Sequence, residues 1–324
     1  MALGTRLWVV ANAIMDMVAF VDRWPDRGGD LLAQGGGAMP GGAFNVTIAA
    51  KRLGLDTVYA GLVGTGPLGT AIQAELQRGN IAMAFEPVAG ADSGFDLVMV
   101  EPDGERTFLT VQGCEAALDF RYLQQLTVGA GEVVYISGYH LVKDPTASGL
   151  AQWIERLSED IALVLDPGPL VQQIAPKIWE TVLRRVNVLT VNRREAALMT
   201  GRDEPDRAVM ALREQGAPHA TVLVRVGADG TWVVDPASGK PQLVPTRSTQ
   251  VIDTTGAGDV HTAAVMALWV PNQVITVVEA ANVAASLAVE HAGPSWSPSW
   301  VELSPYLTAF QREVLNPYTG GSKR

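Results

Sequence analysis

The chain has 324 residues, 48% of them hydrophobic, and a formal net charge of -10. That is enough apolar material for one large core plus a small accessory element. The acidic balance, with no basic stripe, excludes nucleic acid and an anionic membrane surface as partners, and the single cysteine, Cys114, excludes an intramolecular disulfide and fits a reducing cytoplasm.

Near the N-terminus, Arg6 precedes an apolar run and Ala11-Asn12-Ala13 mimics a cleavage site. The run Leu7–Val10 is too short for the core of a signal peptide, and Asp16 follows at once. It reads instead as the first strand, Leu7–Ala13. Further buried strands are predicted at Thr57–Val63, Glu132–Ser137, Ile161–Asp166, Val188–Asn192 and Thr221–Val226. Helical patterns fall between them, at Phe44–Leu53, Gly69–Arg78, Ala147–Ser158, Ala175–Arg185 and Asp206–Gln215. Continuous apolar strands alternating with helices predict a parallel sheet covered on both faces, a doubly wound α/β architecture. The longest apolar stretch, Thr262–Val289, is interrupted by Pro271, Asn272, Glu279 and Asn282, so no membrane span is expected.

Two segments break the alternation. Val18–Arg23 reads as an isolated strand. Phe95–Glu101 and Arg106–Gln112 read as a hairpin around Pro102-Asp103-Gly104. With no helix between them they belong to a small antiparallel sheet outside the main one. The tail after Pro317 is polar and Gly-rich, and a frayed end is expected there.

The strongest chemical signal is Asp253-Thr254-Thr255-Gly256-Ala257-Gly258-Asp259, between a short predicted strand, Gln250–Ile252, and an apolar helix, His261–Trp269. Gly256 and Gly258 permit a tight turn and close approach of the backbone to a ligand. A helix start there offers unpaired N–H groups and a positive dipole end to an anion, with Asp259 beside it. The same residues also suit a plain helix cap. Met39-Pro40-Gly41-Gly42-Ala43-Phe44-Asn45 opens an early helix, where two glycines and Asn45 suit a small polyol or, equally, an ordinary glycine-rich helix start. Asn192-Arg193-Arg194-Glu195 puts Asn and Glu on one helix face, for a phosphate–metal site or for a capping box. Arg225-Val226-Gly227-Ala228-Asp229-Gly230 forms a tight turn over which a nucleotide could lie.

Together these segments resemble the ribokinase (PfkB-type) family of carbohydrate kinases, from about Leu7 to Leu307. The early Gly-Gly-x-x-Asn and the late Asp-Thr-x-Gly-Ala-Gly-Asp are its two signatures, in the right order. The resemblance implies a three-layer α/β/α sandwich with a mainly parallel sheet and a small antiparallel β lid. It implies one kinase domain over residues 1–316, with lid segments at about 17–35 and 92–114 and a flexible tail at 317–324. It implies ATP-dependent transfer of the γ-phosphoryl group to a sugar hydroxyl. Asp259 would be the general base, and Gly256, Ala257 and Gly258 the anion hole. Asp16, Gly41, Gly42 and Asn45 would hold the sugar. Asn192, Arg225, Gly227, Gly230 and Asn282 would lie around ATP, and Glu195 would organise Mg²⁺ through water. Asp253, Gly293 and Ser297 resemble a monovalent-cation loop that suits K⁺. The segment Glu101–Thr107 resembles the lid, through which a homodimer is expected.

There are departures. His261 stands where the family usually has Phe, either filling that space or touching the substrate. The family's Gly-x-Asp-x-x-Gly reads Gly64-Thr65-Gly66-Pro67-Leu68-Gly69, without its Asp. That segment, with Glu86 beyond it, also spells a dinucleotide fingerprint, so an NAD-dependent dehydrogenase is the remote alternative. A nucleoside kinase of the same fold is the nearer one, and a non-catalytic sugar-binding protein a third. Tyr139 and His140, after a strand end, are further substrate-side candidates.

Overall fold

The computed structural model describes residues 6–102, 104–293 and 296–316. Asp103, at the predicted hairpin turn, and the tail 317–324 lie outside them.

Among the described residues, nine strands form the main sheet, in the order β13-β12-β11-β10-β9-β8-β1-β4-β5. They are β1 (Arg6–Val10), β4 (Asp56–Tyr59), β5 (Ala82–Met83), β8 (Val133–Ser137), β9 (Ala162–Asp166), β10 (Val188–Asn192), β11 (Thr221–Arg225), β12 (Thr231–Val234) and β13 (Gln242–Val244). The intervening numbers β2 (Ala13–Phe20), β3 (Gly35–Gly42), β6 (Phe95–Val100) and β7 (Arg106–Val111) form a second sheet, in the order β3-β2-β6-β7. The main sheet is parallel from β5 to β11 and closes with antiparallel β12 and β13.

Alternation splits the core in two. Leu7 and Val9 face one layer, which includes α1 (Ala43–Arg52), α2 (Pro67–Arg78), α8 (Ala257–Ala267) and α9 (Val274–Ala288). Trp8 and Val10 face the other, with α3 (Phe120–Leu123), α4 (Thr146–Ile154), α5 (Pro176–Leu183), α6 (Arg193–Thr200) and α7 (Pro205–Gly216). This is the expected three-layer sandwich.

Four details differ from the sequence reading. The chain leaves β1 at Val10 and turns into the lid at Ala13, so the lone strand expected at Val18–Arg23 is the end of the longer β2. Its antiparallel partner, β3, is a glycine run with no alternating side chains to betray a strand. A Cβ at Gly36 would sit 2.1 Å from the Val18 carbonyl oxygen, so the pairing itself demands glycine. The expected antiparallel lid forms at both outer pairs, while its central pair, β2–β6, runs parallel. A long crossover through α1 and α2 joins those two strands, as parallel pairing requires. The strand expected at Gln250–Ile252 does not form. Val251 and Ile252 are exposed, and the Ile252 and Asp253 amides donate to the Val289 carbonyl instead.

Candidate active site

The candidate residues gather at the C-terminal ends of the parallel strands, where open α/β sheets bind ligands. Asp166 ends β9, Asn192 ends β10 and Arg225 ends β11. Two surface clefts lie at the opposite, N-terminal ends of the strands, beside Asp56 and Thr57 and beside Val188 and Thr221, and none of the motif residues lines them.

The late motif folds as a turn and a helix start. Gly256 takes a left-handed conformation, φ 75°, and α8 begins at Ala257, earlier than the periodicity predicted. The Ala257 amide donates to the Thr254 carbonyl at 3.4 Å, while the first-turn amides of Gly258 and Asp259 have no preceding helical turn to receive them. Asp259 sits in that first turn. The early motif reaches it directly, because Asn45 Nδ2 donates to Asp259 Oδ2 at 3.3 Å. Burial and the charge of Asp166 push the Asp259 carboxyl up to about 7, against the pull of Asn45 and Arg225. Asp16 lies against Gly41, where a Cβ would stand 2.0 Å from its Oδ2. Burial, then Asp96 and Asp259, push Asp16 up to about 7. Gly42, φ 57°, opens α1 and has no room for a side chain beside the Asn12 carbonyl.

Asn192 and Glu195 form a full capping box, with Glu195 N donating to Asn192 Oδ1 at 2.8 Å and Asn192 N to Glu195 Oε2 at 2.8 Å. The cap aims Glu195 inward, and the residue is 5% exposed. Burial and the neighbouring Asp166 push its carboxyl up, with Arg225 opposing. Arg225 turns into these carboxylates. It donates to Asp166 Oδ2 at 3.1 Å, to Thr262 Oγ1 at 3.2 Å and to Thr190 Oγ1. Gly227 and Gly230, φ 63° and 107°, make the β11–β12 turn, and at Gly230 a Cβ would strike the Val244 carbonyl.

Three of the expected positions have specific surroundings. Asn282 is buried. Its Nδ2 donates to the Val244 and Pro245 carbonyls, and its Oδ1 accepts from Thr231 Oγ1 at 2.7 Å. Its amide braces the sheet edge rather than facing an open nucleotide cleft. His261 does not touch the substrate side. It is buried, with Nε2 3.1 Å from Thr231 Oγ1, and burial followed by Arg225 holds its pKa down to about 3. In the expected cation loop, Ser297 Oγ is buried and has no hydrogen-bond partner among the described residues. Asp253 Oδ1 accepts from Thr255 N and Oγ1 and pairs with Arg106 of the lid, while Oδ2 accepts from Gly293 N at 3.0 Å. The Ser297 carbonyl is taken by Arg52 Nε at 2.6 Å.

Sequence reasoning missed Asp166, Asp96 and Asp92, because each lies outside a recognisable motif, and gave Arg106 no role of its own within the lid segment. Asp92 answers the missing family Asp. Its oxygens accept from Leu68 N at 3.2 Å, Gly69 N at 2.7 Å and Ser93 N at 2.9 Å, capping α2. A pyrophosphate cannot share that helix start with a carboxylate already bound there, which removes the dehydrogenase reading. Tyr139 is partly buried. Burial, followed by Asp96, Glu195, Asp166 and Asp16, raises its hydroxyl pKa, so it stands among these acids. His140 is buried, and burial holds it down to about 4.

Known proteins carry the same plan. The uncharacterized sugar kinase YegV of Escherichia coli (strain K12) is 33% identical over 304 residues, covering 91% of this chain and 92% of that protein. Ribokinase from Giardia lamblia superposes with a TM-score of 0.82 at 20% identity, covering 95% of this chain and all of that one. Fructokinase from Vibrio cholerae O395, bound to fructose, ADP and calcium, gives 0.76 at 23% identity over 94% of this chain and 99% of that one. Residues 5–300 match the description "pfkB family carbohydrate kinase", a span that takes in both motifs and every strand of both sheets. The chain belongs to the pfkB family of carbohydrate kinases, phosphotransferases that act on hydroxyl groups.

Proposed function

We propose that this chain phosphorylates a small carbohydrate with ATP, with Asp259 as general base and Gly256–Gly258 as the anion hole. The observation that carries the reading is the Asn45–Asp259 hydrogen bond, which brings both motifs together beside the first turn of α8. A sugar held by Asp16, Gly41, Gly42 and Asn45 then presents a hydroxyl to Asp259. The carboxylate takes its proton as the oxygen attacks phosphorus. The amides at the start of α8 receive the charge on the transferred group.

The nucleotide lies over the Gly227–Gly230 turn in this reading. Glu195 and Asp166 are crowded acids, and a cation relieves their mutual repulsion, so both fit Mg²⁺ held through water. Mg²⁺, when bound, neutralises phosphate charge and aligns the phosphates. Arg225 keeps Asp166 in place.

Residues 1–316 act as one catalytic unit in the cytoplasm, with the second sheet as a lid. The apolar face of that lid consists of Leu97, Leu109 and Val111, all exposed. Phe108 pairs with Val98 and so lies on the other face. A homodimer through Leu97, Leu109 and Val111 buries the exposed face.

The test is ADP release with a panel of sugars and nucleosides. Release with a sugar that disappears in Asp259→Asn supports the reading. Preference for a nucleoside transfers it to the nucleoside-kinase alternative, and no release with any acceptor overturns it.

A further inference from the structure

A polar row crosses the inner face of the lid. Asp16 on β2 stands in register with Asp96 on β6, and Asp96 with Thr110 on β7. Residues in register on neighbouring strands share a face, about 5 Å apart. Asp96 is 7% exposed, yet its Oδ1 has no hydrogen-bond partner among the described residues. Asn45 is 6% exposed, and its Oδ1 is likewise unpartnered while its Nδ2 is spent on Asp259. Burial pushes the Asp96 carboxyl up, against the pull of the Thr110 hydroxyl.

Buried acceptors are nearly always satisfied, and the exceptions call for a cause. Here Asp96 stands beside Asp16 across the strand pair, Asn45 bonds Asp259, and Asp16 feels the charge of both Asp96 and Asp259, which ties the acceptors into one site. A wall made of acceptors is completed by a ligand made of donors. Hydroxyls and ammonium groups qualify, whereas carboxylates and phosphates bring like charge to Asp16 and Asp96.

We propose that Asp96 is a specificity-determining residue, gripping with Asp16 two donor groups of one ligand, and that it restricts the acceptor to neutral polyols and amino sugars against sugar acids and sugar phosphates. The proposal rests on the kinase reading above for the identity of the site. It adds a residue and a charge rule that the motifs do not contain.

The experiment titrates the full-length protein calorimetrically, in the presence of a non-hydrolysable ATP analogue. The probes are fructose, ribose, mannitol, glucosamine, gluconate and ribose 5-phosphate, and steady-state ADP release is measured with each. The expected result is binding of a neutral or amino sugar and rejection of both anions. Asp96→Asn then raises KM for the bound sugar about tenfold, largely spares kcat, and narrows the gap to gluconate. Asp96→Ser, which keeps a partner for Thr110, repeats the measurement if Asn disturbs the lid. A merely structural Asp96 would not move the neutral-to-anionic ratio. Wild-type binding of gluconate or ribose 5-phosphate as tight as that of any neutral sugar overturns the proposal. So does an unchanged ratio in both variants, or no binding of any neutral or amino sugar. Calorimetric selectivity without ADP release would sustain it while striking the kinase reading.

Discussion

Arg106 of the lid forms an ion pair with Asp253, three residues ahead of the glycine that opens the late motif's helix, and also donates to Thr254 Oγ1 at 3.3 Å. The lid is thereby fastened to the loop proposed above to receive the phosphoryl group. Both side chains are about four-fifths buried, at 18% and 23% exposure, so the pair is shielded from full solvent screening. Arg106→Gln should loosen the lid, lower sugar kcat/KM by about tenfold and raise sugar-independent ATP hydrolysis, since closure excludes water. A double-mutant cycle with Asp253→Asn should give a coupling on the order of 1–2 kcal/mol. Additive effects would mean that the two act separately.

Asp259, as the proposed base, has a titration signature. A carboxyl pushed up to about 7 must lose its proton before it can accept one, so kcat should rise with pH through about 7 and then level off. Asp259→Asn should lower turnover by about 10²–10⁴-fold with ATP affinity nearly intact. A pH–rate profile flat from 5 to 9, or a variant of near-normal rate, would exclude Asp259 as the base.

Glu195→Gln keeps an oxygen for the Asn192 amide, so the α6 cap survives while the charge is lost. The Mg²⁺ concentration giving half-maximal rate should rise severalfold. An unchanged Mg²⁺ titration removes Glu195 from the metal site.

Asp16 should lower stability in a pH-dependent way. Its folded-state pKa of about 7 lies above the ordinary 3.8, so the native state binds more protons than the unfolded chain between those values. Stability is therefore lost as pH rises from about 4 to 7 and changes no further above that. Asp16→Asn removes the cost of a buried charge. It should stabilise the protein by on the order of 2 kcal/mol at pH 8. The gain should shrink steadily as pH falls toward 4. Denaturant unfolding at several pH values reads this directly, and a gain independent of pH would refute the burial argument.

The exposed face of the lid gives the last test. Light scattering at micromolar concentration should report a dimer, and Leu97→Glu with Leu109→Glu should give monomers. A dimer that survives both changes lies elsewhere.

The parallel core was legible because its strands are uninterrupted apolar runs such as Ala162–Leu165, and the late motif because its glycines and acids are close together in sequence. What escaped was assembled by pairing rather than by neighbourhood in the sequence. Asp96 is one polar residue in an otherwise apolar strand, and only the β2–β6 register sets it beside Asp16. Asp166 ends a strand unremarkably until Arg225, 59 positions away, closes on it. The β3 strand was invisible because glycine shows no alternation. Asp92 replaced a motif acid from 26 positions beyond its usual place, Gly66, which no local pattern could reveal.

The buried contact between His261, Thr231 and Asn282 has a direction. The Asn282 amide nitrogen faces two carbonyls, so its oxygen must be the atom turned to Thr231. The single Thr231 proton goes to that oxygen. The hydroxyl can then only accept from the imidazole, which fixes His261 as the tautomer protonated at Nε2 and leaves Nδ1 as a bare lone pair. The three side chains thus form a one-way chain of donors running from α8 through β12 to α9. Phenylalanine at 261 would fill the same volume and still leave the chain without its first link. Valine at 231 would strand a donor and an acceptor at once.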